Sequence, residues 1–172
     1  ISKSFGSLKA LDNVDFSLRK GEIHALLGEN GAGKTTIMKI LYGLHKQDEG
    51  TIEVHGEKVN FKDSLDAINS SIGMVNQHFM LIPVLTVAEN VVAGNEPKKG
   101  VFFDKEKAEE RVRELAETNG FLIDPKALVS TLSVGQLQRV EILKVLYNEA
   151  EILIFDEPTA VLTPKEVKDL FV

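Results

Sequence analysis

Apolar and polar positions along this chain alternate between the two periods that separate strands from helices. Val14, Phe16 and Leu18 stand between polar neighbours, the period of two that predicts a half-exposed strand. Lys20-Gly21 then predicts a turn. Positions 23 to 27, from Ile23 to Leu27, form an apolar run of buried-strand length that leads directly into a glycine-rich loop, Gly28 to Gly33. Beyond the loop Ile37, Ile40, Leu41 and Leu44 recur at helical spacing. The local order is therefore strand, glycine loop, helix.

The same alternation continues. Thr51 to Val54, with a turn at His55-Gly56, predicts a hairpin, and Ser71 to Val75 a short strand. Gly94 to Gly100 has the composition of a loop. A helix is predicted from Asp104, with Ala108, Val112, Leu115 and Ala116 on one stripe and Gly120 just past its end. Another is predicted from Ser133 to about Asn148, then a buried strand from Ile152 to Phe155, and a last helix near Pro164. No internal repeat or low-complexity segment is visible. Strands separated by helices, with a compact helical insert, predict an α/β fold with a mostly parallel sheet core and an antiparallel β portion.

Composition changes this picture little. The 172 residues predict one domain, and 43% hydrophobic with 27% charged residues is an ordinary globular balance. There is no cysteine, which excludes disulfides and thiolate metal sites. A net charge of -6 argues against a nucleic-acid partner. No apolar run approaches the roughly 18 residues that span a bilayer, and no leader pattern is visible. The chain opens at Ile1 rather than Met, within an expected strand, and stops at Val172 without a terminating signal. The expectation is a piece of a longer polypeptide, clipped in its first strand and truncated at its C-terminal end.

Gly28, Glu29, Asn30, Gly31, Ala32, Gly33, Lys34 and Thr35 fit the pattern G-x-x-x-x-G-K-[ST]. Nucleotide phosphates carry several negative charges that must be met without bulk water. Glycines let successive backbone N–H groups turn inward as an anion nest, and the following helix adds its free N–H groups and positive dipole end. Lys34 supplies a mobile charge for the β- and γ-phosphates, and the Thr35 hydroxyl is a hard oxygen ligand for Mg²⁺. Gly28, Asn30, Gly31, Ala32, Gly33, Lys34, Thr35 and Thr36 are the candidate nucleotide contacts.

A second constellation follows the strand at 152–155. Open α/β sheets bind ligands at the C-terminal ends of their strands, and this strand ends in Asp156 and Glu157. Asp156 suits the Mg²⁺ coordination shell, and Glu157, one residue on, suits a general base for the attacking water. Before that pair stands Leu132, Ser133, Val134, Gly135 and Gln136. Ser133 can cap a helix and Gly135 permits close backbone approach, so Ser133, Gly135 and Gln136 predict a second phosphate-binding helix N-terminus.

Taken in this order the motifs resemble the ATP-binding domain of ABC transporters, with Val134 in place of a glycine in the LSGGQ signature. The resemblance covers nearly the whole chain and implies an ABC-type P-loop ATPase. It divides the single domain into a nucleotide-binding core at 1–76 and 150–172 and an insert at 77–149 with the Q-loop, helical subdomain and signature helix. It further implies that Gln77 senses Mg²⁺ and supports catalysis, and that Phe5 stacks on adenine. Pro158 to Thr163 aligns with the family's D-loop, where Thr163 replaces the usual aspartate. The family's switch histidine is expected beyond Val172; none of His24, His45, His55 or His78 matches it. The chain by itself is therefore expected to bind ATP but to hydrolyse it weakly.

Finer features, Gln77-His78-Phe79-Met80, Asn95-Glu96-Pro97, Tyr147 and Arg139 to Lys144, resemble importers of simple sugars and nucleosides, whose ATPase subunit carries two such units in tandem. The implied partners are a second ATPase unit sandwiching ATP between one Lys34 loop and the other Ser133 helix, transmembrane permease subunits contacted near Gln77, and, indirectly, a periplasmic or lipoprotein solute-binding protein. The implied location is peripheral, on the cytoplasmic face of the cell membrane. The alternatives are a soluble ABC protein of translation, or an ATP-binding module without hydrolysis.

Overall fold

Turn and cap chemistry place most of the element boundaries. The computed structural model describes residues 1–157, which fall into two compact units, Ile1–Ile72 and a second beginning at Gly73. In the first, β1 (Lys3–Phe5) and β2 (Leu8–Leu11) pair antiparallel. After them come α1 (Lys34–Leu41), which buries Ile37 and Ile40, and a second antiparallel hairpin of β3 (Ile52–Val54) and β4 (Glu57–Val59). The hairpin turns at His55 and Gly56, with φ of 53° and 82°. Two successive left-handed residues are what a two-residue loop needs to match the twist of its strands. α2 (Ser64–Asn69) closes the unit, and the Asp63 carboxylate accepts from its Leu65 and Asp66 amides at 2.9 and 3.2 Å.

Among the described residues the second unit is built on three helices. β5 (Ile72–Val75) leads into it, followed by α3 (Val87–Val92), the short antiparallel pair β6 (Lys98–Lys99) and β7 (Phe102–Phe103), and α4 (Lys105–Thr118). A 3₁₀ turn at Val129–Thr131 precedes α5 (Val134–Tyr147), and β8 (Ile152–Phe155) returns beside β5. β5 and β8 are parallel, and the helices between them form the crossover that a parallel pair requires. Asp104 caps α4 at Lys107, Asn119 ends it and Gly120 follows, so the predicted start and stop of this helix are observed. Of its predicted stripe Ala108, Val112 and Ala116 are wholly buried with Val87, Val91 and Val92 of α3 and Val140 and Leu143 of α5, while Leu115 is half-buried against them. Each buried valine or leucine of this set stabilises by roughly 1.5–3 kcal/mol relative to exposure. Among the described residues no helix is long and apolar enough to cross a membrane.

The first unit departs from expectation in one stretch. Residues 14–18 and 23–27 do not form strands; Ile23 and Leu27 are 85% and 92% exposed. A strand's N–H and C=O groups bond outside their own segment, so an apolar run becomes a strand only beside a neighbour. Among the described residues no strand pairs with 23–27. Smaller differences accompany it. α1 ends at Leu41, leaving Leu44 half-exposed beyond it, and 152–155 is a strand in which only Ile154 is buried. The loop at 94–100 carries β6 at its end. The helix expected near Pro164 lies outside the described residues.

Candidate nucleotide site

In the first unit the candidate site is organised by the entry into α1. Its N-cap is Gly33, at φ 87°, with no side-chain cap and no acidic residue in the first turn. With no side-chain cap, the positive end of the helix dipole faces the loop and suits an anion. Only glycine suits this cap. A Cβ there would lie 2.7 Å from the Ala10 carbonyl oxygen and 2.9 Å from Leu11 Cδ2. Gly28, Asn30, Gly31 and Ala32 are exposed, and the Ala32 amide bonds the Glu29 carbonyl at 3.2 Å to close a turn within the loop. Lys34 folds back over that loop, its Nζ donating to the carbonyls of Gly28 at 2.7 Å and Glu29 at 2.9 Å. Thr35 and Thr36 follow in the first turn. Phe5 ends β1, 43% exposed, edge-on to His45 at 5.4 Å and with Lys3 Nζ 5.5 Å from its ring centre.

In the second unit β5 and β8 bring two expected site residues together. The Asp156 amide donates to the Val75 carbonyl at 3.0 Å, extending the pairing past the end of β8. Gln77 lies two residues beyond β5, and its Nε2 donates to Glu157 Oε2 at 2.9 Å across a separation of 80 residues. Glu157 adopts φ 51°, a left-handed backbone that non-glycine residues seldom occupy and that recurs at functional turns. Ser133 caps α5 in a reciprocal box. Its Oγ accepts from the Gln136 amide at 3.4 Å, and Gln136 Oε1 accepts from the Ser133 amide at 2.9 Å. Gln136 thus spends its carboxamide oxygen on the cap, while Gly135 is buried in the first turn. The D-loop expected from Pro158 to Thr163 lies outside the described residues.

Polar residues absent from the expected set hold the segment after Gln77. Glu141, 3% exposed on α5, accepts from the Met80 amide, and Lys144 Nζ donates to the Met80 carbonyl at 3.3 Å. Burial pushes the Glu141 carboxyl above the usual carboxylate range, against the Met80 hydrogen bond and the Lys144 charge. Two residues on, Asn90 of α3 bonds Ile82 at both its amide, 2.7 Å, and its carbonyl, 3.1 Å. A signal for Glu141 exists in the sequence: a lone carboxylate among Val140, Ile142, Leu143 and Val145.

Mg²⁺ is held through hard oxygens and keeps waters and phosphates in its shell, so one or two protein ligands suffice. The Thr35 hydroxyl and the Asp156 carboxylate are donors of that kind. Among the described residues no three His, Cys, Asp or Glu side chains gather into a protein-only metal cage.

A glycine-capped phosphate loop opening a helix, and an acidic pair at the end of a parallel strand, define a P-loop nucleotide-binding protein. Its fold matches that of solved cassettes. The ADP conformation of an ATP-binding cassette of an ABC transporter aligns with a TM-score of 0.85 at 28% identity, covering 99% of this chain and 71% of that one. A dimeric post-hydrolysis cassette bound to ADP and phosphate aligns with a TM-score of 0.76, also at 28% identity, over 98% of this chain and 75% of that one. The chain belongs to the ABC transporter family, whose profile matches residues 11–160. It is similar to the nucleoside import ATP-binding protein NupA of Lactococcus lactis subsp. cremoris, 54% identical over 99% of this chain and 34% of that protein. The guanosine import ATP-binding protein NupO of Bacillus subtilis is 52% identical over 99% of this chain and 33% of its own length. The chain spans about a third of the length of these curated relatives. They lend no support to a role in translation.

Proposed function

We propose that this chain is the nucleotide-binding part of an ATPase that powers import of nucleosides or simple sugars. The hydrogen bond between Gln77 and Glu157 carries the catalytic part of this reading, because it joins the expected sensor to the expected base. The names of the similar import proteins support the transport part. The helix end at Gly33, Lys34, Thr35 and Thr36, with Gly28, Asn30, Gly31 and Ala32, binds the phosphates, and Phe5 stacks on the adenine. Thr35, Gln77 and Asp156 each offer an oxygen that would ligate Mg²⁺, which would neutralise charge developing on the phosphates. Glu157 orients a water and takes its proton for in-line attack on the γ-phosphate.

The core at 1–76 and 150–172 and the insert at 77–149 act as one ABC domain. Ser133, Gly135 and Gln136 complete the nucleotide site of a second ATPase unit, and the segment near Gln77 contacts permease subunits at the cytoplasmic face of the membrane. A solute-binding protein acts indirectly through the permease.

Calorimetry with Mg·ATP on the full-length protein tests the phosphate site. Charge-assisted hydrogen bonds contribute about 1.5–3 kcal/mol each, so Lys34→Ala should weaken binding by roughly ten- to a hundred-fold. Unchanged affinity would place the nucleotide elsewhere.

A further inference from the structure

The segment that carries Gln77 is fixed on both sides by one helix. Upstream, Val75 of β5 is wholly buried against Ile142 and Val145 of α5. Downstream, Met80 gives its amide to Glu141 and receives Lys144 at its carbonyl, again from α5. Gln77 lies between these two anchors and reaches Glu157. The helix that holds both anchors is the one capped by Ser133.

Stability alone is a poor explanation for the downstream anchor. Met80 is 65% exposed, so little apolar burial depends on holding this residue in place. Its amide is nevertheless met by a carboxylate only 3% exposed, and withdrawing an ionisable group from water is expensive unless it is well paired. One turn earlier Gln138 is also buried, with an Nε2 that makes no hydrogen bond among the described residues. This face of α5 is therefore not optimised for burial.

We infer that Glu141 and Lys144 are positioning residues for Gln77: by clamping both polar groups of the Met80 backbone they tie the aim of Gln77 at Glu157 to the Ser133 helix. Neither residue is among the proposed nucleotide or metal contacts. It rests on the proposal that Gln77 takes part in hydrolysis. A consequence is that any displacement of α5, for example when its capped end meets a partner's nucleotide, is carried to Gln77 through two anchors at once.

The test is a mutant cycle on steady-state ATP hydrolysis by the full-length protein, with hydrogen exchange of the 77–82 amides as a structural readout. Misplacing a catalytic group is costly, so Glu141→Ala should lower kcat about ten-fold with KM for ATP changed less than about two-fold. Glu141→Gln, which keeps an acceptor oxygen at the same reach, should restore most of that rate. Lys144→Ala should lower kcat by about three-fold and speed exchange at 77–82. In a Gln77→Ala background Glu141→Ala should change kcat less than about two-fold, because both act through one side chain. If Glu141→Ala lowers kcat equally with and without Gln77, the clamp acts by some other route and the inference falls. It falls too if Glu141→Ala and Lys144→Ala both hydrolyse at the wild-type rate. Should Glu141→Ala fail to fold, Lys144→Ala decides alone, and a normal kcat there overturns the inference. If Gln77→Ala by itself leaves kcat unchanged, the catalytic reading of Gln77 fails, a result distinct from the others.

Discussion

Val87, Val91, Val112, Val140 and Leu143 are wholly buried in the helical unit, whereas in the first unit Ile23 and Leu27 stand almost fully exposed beside the phosphate loop. The contrast comes from where backbone hydrogen bonds are made. A helix satisfies its N–H and C=O groups within its own segment and needs neighbours only for its apolar stripe. Three such helices meeting through valine, alanine and leucine complete a core from nearby sequence. A strand is satisfied only by another strand, so the apolar run at 23–27 waits on a partner that the described residues do not provide. The entry into α1 forms nevertheless, because the left-handed Gly33 and the start of the helix are local features.

The two regions should also divide the chemistry. Where Lys34→Ala in the first unit weakens binding, Glu157→Gln in the second should leave ATP binding nearly intact and reduce hydrolysis by ~10²–10⁴, the usual worth of a general base. Phosphate release and calorimetry on one preparation of the full-length protein measure both, and near-normal turnover would point to another base. Leu143→Ala should destabilise the helical unit by about 2–5 kcal/mol in urea unfolding, since a wholly buried leucine leaves a cavity that its neighbours fill only in part. A loss under about 1 kcal/mol would mean that this core is looser than its burial implies.

Gly33→Ala should cost about 1–3 kcal/mol in the same measurement, because the new methyl meets the Ala10 carbonyl and Leu11 on a left-handed backbone. The smallest effect is expected at the exposed run. Leu27→Ser in the 172-residue chain should shift stability by no more than about 0.5 kcal/mol, as surface substitutions do. The same change in a longer chain sharpens the comparison. A cost of about 2 kcal/mol there would mean that 23–27 has found its neighbour and become a buried strand.

Local rules account for what was legible from the residues alone. His55-Gly56 specified a hairpin turn, Asp104 and Gly120 the two ends of α4, and Ser133 the cap of α5, because each is decided by backbone conformation or hydrogen bonds within a few residues. The glycine spacing before Lys34 predicted a helix entry after the loop for the same reason, and the structure adds that no side chain caps it. The fate of 14–18 and 23–27 was not legible, since an apolar run states a tendency to be buried and not whether a partner lies beside it. Nor was the meeting of Gln77 with Glu157, or of Met80 with Glu141 and Lys144, residues from 61 to 80 positions apart in sequence. Such contacts depend on how β5, β8 and α5 pack, and a carboxylate inside an apolar helix acquires its meaning only when the tertiary structure supplies the amide it accepts.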